Sequence, residues 1–380
     1  MAASKSSGDT TPDRAARDRR LMSLAVALGA RQRGLTWPNP AVGAVLVDER
    51  DGEPLILATG ATQPGGRPHA ERVALAAAGE RARGATLYVS LEPCSHHGRT
   101  PPCADAVVEA GIARVVSALP DPDPRVAGQG HDRLRQAGIA VEVGCLGEEA
   151  WRAHRGHIVR VTKGRPAVTV KLARTTEGFA GVRQGPRLMI TSEIANGRVH
   201  LMRAHADAVL VGLGTILADD PLLTVRLPGL EGRSPLRVVL DSQLRIPLGA
   251  KVVAGAREHP TWIVTTEAAP IEAEHVLTAA GVEILRVPAD PDGRVSLPEA
   301  LRRLAERGLT SLFCEGGPAL VDALARQDLV DELVLVTGGS GRGRGDVPAL
   351  GSALQERMDE LRLVGEEQLG SDLFMFWEKP

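Results

Sequence analysis

Aromatic side chains are scarce in this sequence of 380 residues, with one Tyr, four Phe and four Trp. A hydrophobic core must therefore be assembled from Ala, Val, Leu and Ile. Rings spread this thinly also provide no stacking platform for a single nucleic-acid strand. The net charge is −2, so no overall basic field exists to hold a polyphosphate chain. Lysine occurs only five times and arginine supplies the other 40 cations, which reads as a genome composition bias. No run of about 20 apolar residues is present, so no transmembrane helix is expected. Cysteine occurs four times, too seldom for a disulfide framework. The polar opening segment, Met1 to Asp13, lacks the continuous apolar stretch of a signal peptide. The expected compartment is the cytoplasm, where clustered cysteines read as metal ligands or nucleophiles.

What is present is an ordinary globular mixture, 43% hydrophobic and 24% charged. At roughly 100–200 residues per domain, the length predicts two domains. Residues 1–13 read as a flexible tail. Residues 14–33 carry Leu21, Leu24, Ala25 and Leu28 at helical spacing, and Gly34 ends that helix. Ala41–Val47, Thr86–Ser90, Val115–Ala118 and Val141–Val143 read as strands, and Ala70–Ala78 and Ala104–Ala110 as helices. This alternation predicts a layered α/β domain over residues 14–148. A charged stretch with His154 and His157 predicts a linker helix over residues 149–165. A second alternating pattern begins with a strand at Ala167. Further strands are predicted at Ala208–Val211, Leu236–Leu240, Thr261–Thr265, Glu283–Val287, Ser311–Cys314 and Glu332–Val336. Helices at Ser192–Ala204, Leu297–Arg307 and Ala319–Arg326 fall between them, giving an α/β domain over residues 166–380. The low-complexity stretch of the chain is Gly338–Gly345.

The first half holds a constellation shaped for zinc. His69-Ala70-Glu71 opens a predicted helix, Pro93-Cys94 follows a strand, and Cys103 opens the next helix. One imidazole and two thiolates make three protein ligands for Zn2+ and leave a fourth position for water. Such an ion brings the ionisation of that water near pH 7. Glu71, two residues after the histidine, is placed to carry protons without being a ligand. The set suits hydrolytic removal of an amine from a nitrogen heterocycle, and H-x-E…P-C-x-x-C is the signature of zinc deaminases. This chain departs from the signature by placing eight residues between its cysteines. A structural zinc, or a cysteine pair without metal, is the competing reading. Cys145 and Cys314 have no partners nearby in sequence and read as buried bystanders.

Thr36 to Gly43 (TWPNPAVG), Pro68 to Glu71 (PHAE) and Leu91 to Cys103 (LEPCSHHGRTPPC) resemble the RibD family, the bifunctional deaminase–reductases of riboflavin biosynthesis. The long loop between the cysteines is itself characteristic of that family. The resemblance implies a cytidine-deaminase-like α/β/α zinc domain. One Zn2+ per chain would sit on His69, Cys94 and Cys103, with Glu71 as proton shuttle and Asn39 against the pyrimidine. For His96, His97 and Arg99 two readings stand side by side, a face toward the substrate phosphate and a solvated loop.

In the second half, a Rossmann fingerprint would need G-x-G-x-x-G after a strand. Gly212-Leu213-Gly214 follows one, but Leu217 stands at the third glycine. Glu315-Gly316-Gly317-Pro318-Ala319 follows the strand ending at Cys314 and opens a helix, where free backbone N–H groups attract a diphosphate. A tight strand–helix turn is the other reading. Val209–Arg226 (VLVGLGTILADDPLLTVR), Val238–Arg245 (VVLDSQLR) and Glu315–Pro318 (EGGP) are similar to the reductase half of the RibD family. Lys171, Leu172 and Gly178 fit its opening strand. The resemblance then implies a dihydrofolate-reductase-like α/β domain using NADPH. Cofactor contacts would come from Ala173, Thr215, Asp219, Ser242 and the helix start at Gly317, Pro318, Ala319 and Leu320. Substrate contacts would come from Arg203, Leu223, Arg226 and Glu315. Guanidinium forks match phosphate oxygens, so Arg203 and Arg226 read as phosphate clamps. Lys171 and Asp219 are the candidates for polarising and protonating the sugar.

The resemblance implies one enzyme with two activities. The first domain would hydrolyse the exocyclic amine of 2,5-diamino-6-(ribosylamino)-4(3H)-pyrimidinone 5′-phosphate, and the second would reduce its ribosyl group to a ribityl chain. The partners are then a small phosphorylated pyrimidine and further copies of the chain in a homo-oligomer, with no nucleic acid and no membrane. The second half departs from the family pattern at Arg187 (usually Ser), Met189 (usually Trp), Glu177 (usually Asp) and along Gly338–Gly345. A deaminase with a drifted reductase domain is the alternative these departures leave open. A nucleic-acid editor conflicts with the charge and the sparse aromatics, and a non-catalytic zinc scaffold leaves Glu71 without a purpose.

Overall fold

The computed structural model describes residues 11–50, 53–98, 101–183, 188–339 and 345–380. The chain divides into two compact units, Met1–Lys163 and Gly164–Pro380.

In the first unit the elements run α1 (Thr11–Ala30), β1 (Gly43–Asp48), β2 (Leu55–Ala61), α2 (Ala70–Ala78), β3 (Thr86–Val89), α3 (Cys103–Glu109), β4 (Arg114–Ser117), α4 (Gln129–Gln136), β5 (Ala140–Val143) and α5 (Gly147–Lys163). One sheet has the order β2-β1-β3-β4-β5. β1 is antiparallel to β2 and β3, whereas β3, β4 and β5 are parallel. Side chains alternate across a strand, so a sheet covered on both faces must be apolar at every position. Ala44, Leu46, Leu87, Val89 and Val115 accordingly join one core with Ala70, Ala74, Ala104, Val107 and Leu134 of α2, α3 and α4. Val45, Val47, Tyr88 and Val116 join another with Met22 and Ala25 of α1 and Ala150 of α5. Helices therefore cover both faces, and their alanines let a core poor in rings close up. The single tyrosine, Tyr88, is fully buried and donates its hydroxyl to Asp18 Oδ1 at 2.6 Å. Arg114 donates to both Asp18 oxygens, at 3.0 and 2.6 Å.

Three sequence expectations shift here. α1 starts at Thr11, inside the segment read as a tail, and residues 1–10 lie outside the described residues. Cys314 is buried as expected, but Cys145 is only half-buried. The helix expected from residue 149 begins at Gly147, and its Ala150 is part of the first unit's core.

In the second unit the elements run β6 (Ala167–Arg174), β7 (Phe179–Gly181), α6 (Glu193–Ala204), β8 (Ala208–Gly212), α7 (Leu213–Asp219), β9 (Leu236–Leu240), α8 (Lys251–Ala254), β10 (Thr261–Thr266), α9 (Ile271–Ala279), β11 (Glu283–Val287), α10 (Leu297–Glu306), β12 (Ser311–Cys314), α11 (Pro318–Arg326), β13 (Glu332–Thr337), β14 (Val347–Pro348), α12 (Ser352–Met358), β15 (Arg362–Leu369) and β16 (Asp372–Glu378). The main sheet has the order β11-β10-β9-β8-β12-β6-β13-β16-β15. It is parallel from β11 to β13 and closes with the antiparallel β15–β16 hairpin. Ser192 starts α6 as its N-cap, its Oγ accepting the Ala195 N–H at 3.3 Å. The chain steps outward from β8 to β11 and then returns to insert β12 between β8 and β6. Such a reversal of strand order opens a crevice at the carboxyl ends of the strands. The segments after β6, β8, β9 and β12 all leave the sheet at that edge.

Candidate active sites

The three expected zinc ligands sit at element ends in the first unit. His69 is the N-cap residue of α2, Cys94 lies beyond β3, and Cys103 opens α3. His69 Nδ1 is 3.7 Å from Cys94 Sγ and 3.4 Å from Cys103 Sγ. The three donor atoms all lie within 4.8 Å of one another. Bonds of roughly 2.0–2.3 Å give a zinc tetrahedron an N···S edge of about 3.6 Å, so these donors fit the ion. Hydrogen bonding with Cys103 first, and then His69, draws Cys94 down to about 4, while Cys94 and burial push Cys103 up.

Glu71 lies in the first turn of α2 and is 3% exposed. Burial first, and the Cys94 sulfur second, push its carboxyl up to about 7. A carboxyl in that range takes and returns a proton near neutral pH. Asn39 donates its Nδ2 to Gly66 O at 2.9 Å and so holds the turn that leads into His69. Gly66 has φ +82°, and a Cβ there would lie 2.5 Å from that same Nδ2, so the turn demands glycine. His96 is half-buried, with no partner for its Nδ1 among the described residues, and His97 is exposed. Arg99 lies outside the described residues.

In the second unit, the exit of β12 brings Glu315 against Arg203 of α6. Arg203 donates from Nε to Glu315 Oε1 at 2.5 Å and from Nη2 to Oε2 at 2.9 Å, while its Nη1 donates to Thr224 O at 3.0 Å. Of the two expected phosphate clamps, Arg203 and Arg226, the structure gives these protein partners to Arg203. The Arg203 fork is occupied by protein acceptors and acts as a buttress for Glu315. Arg226 is exposed, and among the described residues its Nη1 lies 3.4 Å from Thr224 Oγ1. Burial alone would raise Glu315, but Arg203 outweighs it and, with Lys171 of β6, holds the carboxyl below its usual range. His200, to which sequence reasoning gave no role, sits between the two arginines. Its Nδ1 accepts the Arg226 N–H at 3.2 Å and lies 3.5 Å from Arg203 Nη1. Burial, then Arg203 and Arg226, lower its pKa. Only its spacing three residues before Arg203 signalled it, since both then lie on one helix face.

The remaining expected residues line the same edge of the sheet. Ala173 lies half-buried next to the end of β6, Thr215 lies in the first turn of α7, and Asp219 ends that helix exposed. Leu223 offers a ligand only its backbone. Its side chain is 2% exposed within the core, and its φ of +57° is a left-handed conformation uncommon for leucine. Ser242 follows β9, and its Oγ accepts the Val295 N–H at 3.1 Å. Gly317 is the N-cap of α11, with Pro318 as first helical residue, and Ala319 and Leu320 complete the turn. Cβ atoms placed on Gly317 or Gly214 would meet nothing within 4 Å, so open space fronts both helix starts. Pro318 has no N–H and the Leu320 N–H donates to Gly317 O at 3.1 Å, so a dinucleotide diphosphate at α11 would meet the N–H groups of Gly317 and Ala319. Met189 is exposed, whereas Arg187 and residues 340–344 lie outside the described residues.

Comparison with known proteins agrees with both halves. Residues 15–119 match the family model described as "Cytidine and deoxycytidylate deaminase zinc-binding region", and residues 166–375 match that described as "RibD C-terminal domain". The chain is 39% identical to riboflavin biosynthesis protein RibD of Aquifex aeolicus, over 95% of this chain and 98% of that one. It is 40% identical to the Escherichia coli protein of the same name, over 92% and 97%. Acinetobacter baumannii RibD superposes with a TM-score of 0.83 at 32% identity, over 96% of this chain and 99% of that one. A Thermotoga maritima diaminohydroxyphosphoribosylaminopyrimidine deaminase/5-amino-6-(5-phosphoribosylamino)uracil reductase superposes with a TM-score of 0.81 at 34% identity, over 97% and 100%. With a zinc-type deaminase unit, an NADPH-type reductase unit and relatives matched over almost their full length, the chain belongs to the RibD family of bifunctional riboflavin-biosynthesis enzymes.

Proposed function

We propose that the chain removes the exocyclic amine of 2,5-diamino-6-(ribosylamino)-4(3H)-pyrimidinone 5′-phosphate and then reduces the ribosyl group to a ribityl chain. Residues 14–148 would carry the first step and residues 166–380 the second, with the helix over 149–165 between them. The observation that carries the reading is the triangle of His69, Cys94 and Cys103 with Glu71 buried beside it. His69, Cys94 and Cys103 would hold a zinc ion, whose chemistry when bound would be to activate a water for attack on the ring carbon that bears the amine. Glu71 accepts a proton at its carboxylate and delivers it to the departing nitrogen, and Asn39 positions the pyrimidine.

In the reductase, Arg226 holds the substrate phosphate while Arg203 keeps Glu315 in place for the substrate. Lys171 and Asp219 polarise and protonate the sugar. Ala173, Thr215, Asp219, Ser242 and the turn Gly317–Leu320 would hold NADPH, which would supply the hydride. The net charge of −2 supports a small substrate over a nucleic acid. No helix among the described residues is long and apolar enough to cross a membrane. A cytoplasmic homo-oligomer follows from the family resemblance.

The test is a paired assay on zinc-loaded protein, with and without NADPH, following ammonia and nicotinamide absorbance separately. Ammonia in both tubes and NADPH oxidation in one is the expected result. Ammonia without oxidation would remove the reductase, and no ammonia from folded, metallated protein would remove the substrate assignment.

A further inference from the structure

Eight residues separate Cys94 from Cys103, and that spacing poses a problem that C-x-x-C does not. With two intervening residues, one turn of backbone fixes both sulfurs. With eight, loop closure carries a larger entropy cost, and the ends take their places only from what holds them. Two charged side chains outside the donor set meet these two ends. We propose that Glu92 and Arg72 are positioning residues of the metal centre, Glu92 setting Cys94 and Arg72 setting Cys103. The inference rests on the reading of His69, Cys94 and Cys103 as a zinc site.

Glu92 stands two residues before Cys94, and its side chain has 0% exposure. Its Oε2 accepts the N–H groups of Asp121 and Gly128, both at 3.0 Å. Its Oε1 accepts those of Gly130 at 2.9 Å and His131 at 3.2 Å. Four backbone donors on one carboxylate make a preorganised anion nest, and charge-assisted bonds are the strong kind. Two of the donors belong to the first turn of α4, whose N-cap is Gly128 and has no side chain to offer. Gly130 completes the clamp from the other side, since a Cβ there would lie 2.0 Å from Pro93 O. The Pro93–Cys94 backbone is thereby pinned against the start of α4.

Arg72 lies on α2, the helix that His69 caps and that carries Glu71 in its first turn. Its Nη2 donates to Pro101 O at 2.9 Å and to Pro102 O at 3.3 Å. These carbonyls immediately precede Cys103, and neither proline has an N–H with which to anchor itself. Arg72 therefore ties the far end of the loop to the helix that carries the third ligand. The two ends also meet each other, through the Cys103 N–H on Cys94 Sγ at 3.3 Å and the Ala104 N–H on Cys94 O at 3.1 Å.

The experiment compares the full chain with Glu92→Gln, Arg72→Met and Arg72→Lys. Zinc affinity is read by competition with a chromogenic chelator, and donor geometry by the visible absorption of Co2+-substituted protein. Glu92→Gln and Arg72→Met are expected to lower zinc affinity about 10–100-fold, the usual effect of losing an outer support of a metal ligand. Their Co2+ bands should broaden and shift, and kcat for ammonia release should fall with KM unchanged. Arg72→Lys, which still donates to Pro101 O, should recover most of the affinity. A fall in Tm with affinity and Co2+ spectrum unchanged in Glu92→Gln and Arg72→Met would overturn the proposal. So would an Arg72→Lys protein as impaired as Arg72→Met. If Glu92→Gln fails to fold, the half-buried Arg72 pair decides on the same readouts. Failure of the zinc reading itself has a separate signature, a parent protein that takes up no Co2+, and it removes this proposal too.

Discussion

Glu71→Gln keeps the side chain's shape and removes its capacity to take a proton. Ammonia release is expected to fall by about 10²–10⁴-fold with zinc still bound. Metal analysis beside the rate checks this, and undiminished turnover would discard Glu71 as the shuttle. Arg203 and Arg226 should separate in the opposite manner from their similar appearance in sequence. Arg203→Ala leaves the half-buried Glu315 without its principal counter-charge, at a cost of about 1–3 kcal/mol visible in Tm. Arg226→Ala, at an exposed position, should leave stability within about 0.5 kcal/mol and raise KM for the phosphorylated substrate. Equal Tm values for the two variants would refute the buttress assignment. At this scale the zinc triangle was legible because imidazole and thiolate announce their chemistry by identity. The Arg203 fork was not, because its acceptor Glu315 is 112 residues away and nothing local marks a guanidinium as occupied. Glu92 was hidden in the same way. It was visible only as the letter before Pro-Cys, and its four donors come from a loop and the start of α4, 29 to 39 residues further on.

Helices α4 and α5 carry the buried histidines that make the first unit sensitive to acid. His154 is 2% exposed, with Nε2 3.1 Å from Ser90 Oγ. Burial first, and neighbouring His157 second, hold its pKa down at about 3. Burial also lowers His131 of α4. A folded-state value below the unfolded 6.5 means that the unfolded chain binds the proton more readily. Stability is therefore complete above pH 6.5 and is lost as pH falls toward 3. The loss from His154 alone should reach about 2 kcal/mol between pH 6.5 and 5. Hydrogen exchange of the α5 amides in the full chain reads it, and a slope unchanged in His154→Gln would contradict it. Elements with strong apolar periodicity, such as α2, β3 and β12, were readable from sequence. α4 (QGHDRLRQ) was not, for it places only Leu134 in the hydrophobic core and its first turn is capped from outside by Glu92. β2 was overlooked because it is an edge strand with Leu55 and Ile56 exposed, and β15 because its outward face blurs any alternation.

Each unit has its own sheet and its own cores, so the two activities should be separable on the intact molecule. Removing zinc with a chelator is expected to stop ammonia release while NADPH oxidation continues on separately supplied deaminated substrate. Parallel loss of both rates would show that the reductase depends on the metal. The division into two α/β halves was legible because motif sets and alternating patterns come in two blocks. The strand order was not, since a local pattern says nothing about which strand becomes a neighbour. β6 illustrates the consequence of that order in time. It is the first strand of its unit to leave the ribosome, yet its partners in the sheet are β12 and β13. Ser311, opposite Ala167, is made roughly 140 residues later, so at 5–20 residues per second β6 waits about 7–30 s with both edges unpaired. The second unit is thus born with an apolar ribbon that no earlier part of its own sheet can cover, and its safe synthesis depends on whatever shields that ribbon until β12 arrives.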